Sequence, residues 1–542
     1  MQWLLDGFVI LLYFVAVLGI GIYKGRGSKT MESFAIGNRD IPWWAVLASI
    51  IAAETSAATF LGAPNEGYAH RNFTYAQLAL GTVLARVIIA FVFLKPYYDY
   101  RVVSIYDFLR VRFGTRTKNV ASGLFLFTRA LASGTRLYVA AVVLVLAYEM
   151  ITGVELTLMQ QLWVYIGSLT FLSVITAIYT TIGGIKAVVW TDVIQATVMF
   201  GALGFAIWLL LTQIPGGLNG ALAILQGPKD LAFFDSGIQP GVSFLGNVRG
   251  ILESDYTIWS ALLGATFLTM ATHGTDQDMV QRMLTAKNYT KSRLALIGSG
   301  LADIPLVLCF LAVGVLLWAL YQDPEKLNPF AYYILHGMPP GVRGLLIAGV
   351  FATAMGSLST ALNALATSFT EDFYLPYIRP GATQAQIVRT ARWGTVIFSI
   401  LLIIIGSVTA YAAIVLQARI IPIVLGIFGY TYGSLLGIFL IGMLTRTRGS
   451  EVGNLIAMFI GFVVVALFSG LHNDIWVLFH PIEHEVPLWQ PDWLVRVTFP
   501  WRIMIGTIVT VAVGLLFRTP NRQVELAREH VARQADKPMP EA

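Results

Sequence analysis

Runs of roughly 20 predominantly apolar residues recur along this chain, and no other feature restricts its fold so strongly. Thirteen are read, at 4–23, 42–62, 75–95, 119–149, 160–182, 189–213, 258–280, 294–321, 343–372, 393–417, 420–445, 453–470 and 502–517. Runs of this length specify helices, because barrel strands would show short segments of alternating polarity. Only 12% of the 542 residues are charged, about half the roughly 25% of soluble domains. So much apolar surface without a charged coat would not stay dispersed in water. Low charge also excludes disorder, and Cys309, the sole cysteine, excludes a disulfide scaffold and cysteine-based metal or redox chemistry. The expected fold is all-α and polytopic, with about 13 transmembrane helices. Runs 119–149 and 343–372 exceed a straight crossing, so they should tilt or continue past the bilayer.

The net charge of +6 would suggest a nucleic-acid partner if the charges were not sorted by side. Of the 36 basic residues, 25 fall on segments that share one face, eight fall on the other, and Arg86, Arg129 and Arg136 lie within runs. Basic residues mark the cytoplasmic side, which puts the N-terminus outside and the C-terminus inside a cell membrane. The first run lacks a basic leader and its positive charges follow it, so it reads as an anchor rather than a cleaved signal. Among external segments, Trp476, Trp489 and Trp493 suggest an interfacial hairpin in 471–501. His480, Glu483 and His484 there have the spacing of a helical zinc motif, but Pro481 and the Trp- and Pro-rich setting argue for a loop. A membrane-embedded enzyme and a channel are thus the rival classes. The tail is too short for a signalling module.

Ionisable and hydroxyl residues inside spans are costly and therefore informative. In the second run Glu54, Thr55, Ser56 and Thr59, followed by Gly62 and Pro64, compose a helix prone to break and offer freed carbonyls to a cation. In the ninth run Thr353, Gly356, Ser357 and Thr360 share one helical face, with Ser359 beside it and Asn363 one turn on. Such a stripe can complete an oxygen cage for a hard cation. The bland alternative for both is close helix packing, with the hydroxyls bonded back to their own helix. Asp192 and Gln195 follow Gly183-Gly184 and share a face. Arg136 and Asp303 are opposite charges at membrane depth, either a mutual ion pair or, for Arg136, a fork for a carboxylate.

Three stretches together resemble the sodium/solute symporter family: Trp190 to Gln195 with the preceding Gly-Gly; Ser357-Leu358-Ser359 through Asn363 to Asp372-Phe373-Tyr374; and Asp276-Gln277 through Val280-Gln281-Arg282 to Ala286-Lys287. The resemblance covers about residues 4–450. It implies two inverted five-helix repeats with broken helices, 42–213 and 258–445, around a midplane site. Outside them lie the N-terminal helix and loop 1–41, the external loop 214–257, two peripheral helices in 446–517 and a cytoplasmic tail 518–542.

The resemblance implies sodium-coupled symport of a small polar organic solute by alternating access, with Na⁺ as coupling ion, no organic cofactor and a monomer as the working unit. Carried over position by position, a first sodium site comprises the carbonyls of Ala52 and Thr55 with Thr353, Gly356 and Ser357; Gly356 stands where the family usually has a hydroxyl. A second site comprises Asp192, Ser359 and Thr360. Sugar-transporting members use a Tyr and a Lys where this chain has Thr272 and Asp303, which disfavours sugar. Sialic-acid transporters grip a carboxylate with an Arg matching Arg136, beside hydroxyls matching Ser56 and Thr59, with Gln77 one position from a further ligand. A carboxylate-bearing solute is therefore expected, with His273 as another contact. Glu54 matches the acid of the proline-transporting branch, and could support the cation or couple protons instead. Together with Asp303 it could also favour an amino group.

Overall fold

The computed structural model describes residues 2–152, 156–326, 328–416, 426–479, 491 and 495–535. His480, Glu483, His484, Trp489 and Trp493 therefore lie outside the described residues. Within them the backbone forms helices, with two isolated bridges, Ile41–Ala286 and Arg448–Arg518, and no named strands.

Among the described residues, eight helices are long and apolar enough to cross a membrane, and one bent pair makes a ninth crossing. In chain order the principal helices are α1 (Gln2–Gly25), the bent pair α2 (Trp43–Glu54) and α3 (Ala57–His70), α4 (Thr74–Asp99), α5 (Thr115–Thr152) and α6 (Leu158–Gln213). Then come α7 (Thr266–Gly274), α8 (Gln277–Met283), α9 (Tyr289–Tyr321), α10 (Val342–Ile378) and α11 (Gln384–Ile414). The chain ends on α12 (Ile427–Leu444), α13 (Glu451–Ser469), α14 (Phe499–Gly514) and the amphipathic α15 (Asn521–Ala535). Thirteen crossings result only when α6 counts twice and the shorter or more polar α5, α7 and α14 are included.

Counting α6 twice has a geometric basis. Its 56 residues would extend about 84 Å if straight, nearly three times the hydrocarbon thickness. The helix instead doubles back at Gly184, where φ is 57° and ψ is −148°. Tyr179 Cβ and Thr191 Cγ2 both come within 3.1 Å of one point, the position a Cβ on Gly21 would take. Along a straight helix they would stand about 18 Å apart. A Cβ on Gly184 would meet the Phe34 carbonyl oxygen at 2.5 Å, so both φ and space require glycine there. The expected long crossings are also present: α5 has 38 residues and α10 has 37, each longer than the ~20 residues a bilayer needs.

Glycines set the closest helix approaches, as they do where apolar side chains give no driving force against lipid. A Cβ on Gly67 would fall 2.4 Å from the Leu311 carbonyl oxygen, and one on Gly314 would fall 1.9 Å from that of Pro64. These contacts interlock α3 with α9. Gly81 in α4 approaches the segment leading into α7, its Cβ position 2.0 Å from the Ala261 carbonyl oxygen. A second set joins other helices. Gly134 in α5 would place a Cβ 2.6 Å from Ile405 in α11, and Gly394 in α11 lies 3.4 Å on the same measure from Ala366 in α10.

Four basic residues read from sequence as topology markers, Arg112, Lys118, Arg282 and Arg343, are in fact buried. Arg343 bridges Asp6 at 2.6 Å, tying the start of α10 to α1. Arg282, counted among the cytoplasmic charges, is fully buried against Asp192. Each carries its charge into the packed interior rather than into water.

Candidate functional site

The site forms where α2 gives way to α3, a bend of 69°. Thr55 and Ser56 leave helical geometry at φ −78°, ψ 98° and φ −84°, ψ 164°. Ser56 restarts the helix by accepting a hydrogen bond from the Thr59 amide at 3.3 Å, as an N-cap serine does. The break has a chemical product. Carbonyls in the last turn of α2, Ala52 among them, lose their partners along the chain. The second half carries a matching interruption, with Thr275 ending α7 and Asp276 capping α8.

Facing the break is the hydroxyl stripe of α10. Thr353 Oγ1 donates to the Val350 carbonyl at 2.8 Å, and Ser357 Oγ donates to the Thr353 carbonyl at 3.1 Å. Ser359 Oγ donates to the Gly356 carbonyl at 3.1 Å, and Thr360 Oγ1 donates to the same oxygen. This back-bonding spends each proton on the helix and leaves the oxygen lone pairs for a cation. The packing and ligand readings of the stripe are thus compatible.

Gly356 explains its own departure from the hydroxyl pattern. A Cβ there would lie 3.0 Å from the Ala52 carbonyl oxygen and 3.0 Å from Gln195 Oε1. The missing side chain lets a freed carbonyl from α2 and an amide oxygen from α6 converge. Both polar atoms of the Gln195 amide are buried without a hydrogen-bond partner among the described residues. Sequence reasoning paired Gln195 with Asp192 on one face but gave it no ligand role; only the fold brings it to Gly356.

Asp192 is fully buried. Its Oδ2 accepts from Ser49 Oγ at 2.6 Å and pairs with Arg282, while Oδ1 has no hydrogen-bond partner among the described residues. Arg282 also donates to the Ser49 carbonyl at 2.9 Å. An orphaned carboxylate oxygen and an orphaned amide oxygen, both buried and one turn apart on α6, suit a small hard cation.

Beside this region lies a cavity of about 300 Å³. Glu54, Thr55, Thr59, Ser357, Arg136, Thr272, His273 and Asp303 are among its lining residues, with Arg129 and Asp278. Ser56 faces an adjoining small void shared with Arg136 and Ser357. Gln77 lies outside the cavity. Its amide donates to the Thr74 carbonyl at 3.0 Å and accepts from the Asp235 amide at 3.1 Å, so it pins the loop between α6 and α7.

The charged groups divide by partner. Glu54 pairs with the fully buried Arg86, and His273 Nε2 stands 3.5 Å from its other oxygen. His273 Nδ1 meets Thr272 Oγ1 at 3.0 Å. Arg129 pairs with Asp276 and, at 3.1 Å, with Asp278. Tyr432 donates to Asp276 at 2.7 Å. Arg136 and Asp303 do not form the mutual ion pair their signs allow. Arg136 instead lies over the Phe428 ring, 5.3 Å from its centroid. Arg86, Arg129 and Asp278 were not singled out from sequence; their positions in or beside spans were the available signal.

Three comparisons bear on this geometry. The chain is 27% identical to the human sodium-coupled monocarboxylate transporter 1 over 84% of its own length and 72% of that protein's. It is 25% identical to the sodium/sialic acid symporter SiaT of Proteus mirabilis, over 85% of this chain and 89% of that one. Its fold matches the substrate-bound, outward-open structure of a Na⁺-coupled sialic acid symporter, with TM-score 0.76 at 21% identity, covering 94% and 97% of the two chains. Residues 34–461 match the model of one family, a stretch that contains the broken helix, the reversal at Gly184 and the hydroxyl stripe. The chain belongs to the sodium:solute symporter family.

Proposed function

We propose that this protein carries a small carboxylate-bearing organic solute into the cell, driven by sodium, through the cavity between the α2–α3 break, α5, α7, α9 and α10. As a member of its family it is a sodium-coupled transporter rather than an enzyme. The observation that carries the substrate reading is Arg136, a guanidinium lining the cavity with no carboxylate paired to it among the described residues. A planar fork of donors without a partner suits a bidentate carboxylate.

Sodium is assigned to the carbonyls of Ala52 and Thr55 with Thr353 and Ser357, and Gln195 supplies the oxygen that Gly356 lacks. The second assigned site comprises Asp192, Ser359 and Thr360. Glu54, Ser56, Thr59, Thr272, His273 and Asp303 complete the solute's surroundings. Glu54 is engaged by Arg86 and His273, which argues against its serving as a free proton carrier. Two inverted repeats at 42–213 and 258–445, an external N-terminus and a cytoplasmic tail remain the preferred arrangement.

In this cycle sodium draws the broken helix against α10, which pre-organises the cavity, so sodium and solute reinforce each other's binding. Rocking of the helices then opens the cytoplasmic side. Each Na⁺ gains about 2.3 kcal/mol across 100 mV, and a tenfold gradient adds about 1.4 kcal/mol. Two ions supply roughly 7 kcal/mol, enough to concentrate a neutral solute about 10⁵-fold.

The test is uptake of radiolabelled lactate, pyruvate, N-acetylneuraminate and amino acids into proteoliposomes, with an inward gradient of sodium or of choline. Accumulation above equilibrium in sodium alone is expected for at least one carboxylate. Equal uptake in both buffers, or uptake that stops at equilibrium, overturns the reading.

Gly356 gives a sharper check on the first sodium site. Gly356→Ala fills the gap without adding an oxygen and is expected to raise the half-saturating sodium concentration about tenfold, equivalent to ~1.4 kcal/mol. Gly356→Ser restores an oxygen and should recover part of that loss. Unchanged sodium dependence in both variants would remove Gly356 from the site.

A further inference from the structure

The ionisable groups lining the cavity separate into engaged and free. Glu54 is held by Arg86 and His273, and Arg129 with Asp278 form part of a paired cluster. Among the described residues that leaves one cation, Arg136, and one anion, Asp303, without an ion-pair partner. They stand on different helices, α5 and α9, and do not meet. An uncompensated charge at membrane depth is costly and marks function. Two of opposite sign lining one cavity ask for a ligand with two poles.

We propose that Asp303 receives a cationic nitrogen, so that the solute is an amino carboxylate, with its carboxylate on Arg136 and its ammonium on Asp303. The proposal rests on the symport reading of this cavity and narrows its substrate class. Size agrees: about 300 Å³ equals roughly ten water volumes, room for a zwitterion of amino-acid dimensions. Charge agrees as well, because a zwitterion neutralises both free groups, whereas a simple carboxylate leaves Asp303 uncompensated beside the Glu54–Arg86 pair. The sequence offered Glu54 and Asp303 equally for an amino group; the structure separates them, since only Asp303 is unengaged. An ammonium on a carboxylate also gives the transporter a way to reject uncharged analogues, because the site's own charge would be left unpaired.

The test compares matched pairs that differ by one amino group: propionate with β-alanine, butyrate with γ-aminobutyrate, and propionate with alanine. Binding to the purified full-length protein is measured by thermal shift and calorimetry, in sodium and in choline. In the wild-type protein the amino member of at least one pair is expected to bind about thirtyfold more tightly, the low end of the cost of losing one partner of a buried charge pair. In Asp303→Asn that ratio should fall to near one, while Asp303→Glu should keep most of it. A ratio near one for all three pairs in the wild-type protein overturns the proposal. A wild-type preference that survives Asp303→Asn overturns it too. Asp303→Asn mimics a protonated carboxyl, so a proton-carrying Asp303 would show as that second result. Should all binding prove equal in sodium and choline, the coupling reading fails, and the pair ratio still judges Asp303.

Discussion

Replacing Asp192 with alanine should destabilise the protein by about 3–5 kcal/mol, the usual consequence of removing one partner of a buried ion pair. Arg282 is fully buried and would keep its charge, with the Ser49 carbonyl and, at 3.9 Å, Asp278 as its remaining support. A simple loss of sodium dependence in this variant would therefore mix two effects. Removing both charges, as in Asp192→Ala/Arg282→Met, should recover most of the stability, since apolar replacement of a buried pair is often neutral. Melting temperature reads the first effect, and the sodium dependence of the double variant reads the second. A double variant that is stable and has an unaltered sodium Hill coefficient would reduce Asp192 to a structural partner of Arg282. Full stability of the single variant would show instead that the pair contributes little.

Arg136 calls for the opposite pattern. It has no protein carboxylate to leave stranded, so Arg136→Gln should shift stability by no more than about 1 kcal/mol. Its effect should fall on the solute, whose carboxylate would lose a bidentate partner in the cavity. Losing one side of such a pair typically costs 2 kcal/mol or more, about thirtyfold upward in Kd. Arg136→Lys keeps the charge but not the planar fork, and should recover only part of the affinity. Solute Kd and melting temperature, measured together on both variants, check the prediction. Wild-type affinity in Arg136→Gln would move the carboxylate elsewhere in the cavity.

The contrast between these residues shows how far the sequence could be read. The break at Thr55-Ser56 and the turn at Gly183-Gly184 were visible because both are local, written in residue types that interrupt a helix. Partners were not visible. Glu54 and Arg86 are 32 residues apart, Asp192 and Arg282 are 90 apart, and Arg129 and Asp276 are 147 apart. From sequence, Asp192 and Asp303 are both acids in a span. Only the fold shows that one is taken and the other free. Gln77 illustrates the same point in reverse, since a position one residue from a family ligand folds into a clamp on the loop between α6 and α7. Burial of Arg112, Lys118 and Arg282 has a related cause: counting charges by segment assumes that charges outside runs meet water.

The glycine contacts carry a mechanical consequence. They fasten α3 to α9 and α4 to the lead-in of α7, and separately fasten α5 to α11 and α11 to α10. Asp303 belongs to the first set and Arg136 to the second. A solute held at both ends would act as a strut between two rigid pieces, with sodium as a second strut between α2 and α10. A ligand gripping only Arg136 would ride on one piece without loading the other. On that view, selection happens twice, once when a molecule fits and again when it proves stiff enough to transmit force across the joint. Blockers of this transporter would then be molecules that occupy the cavity at one end and span it at the wrong length.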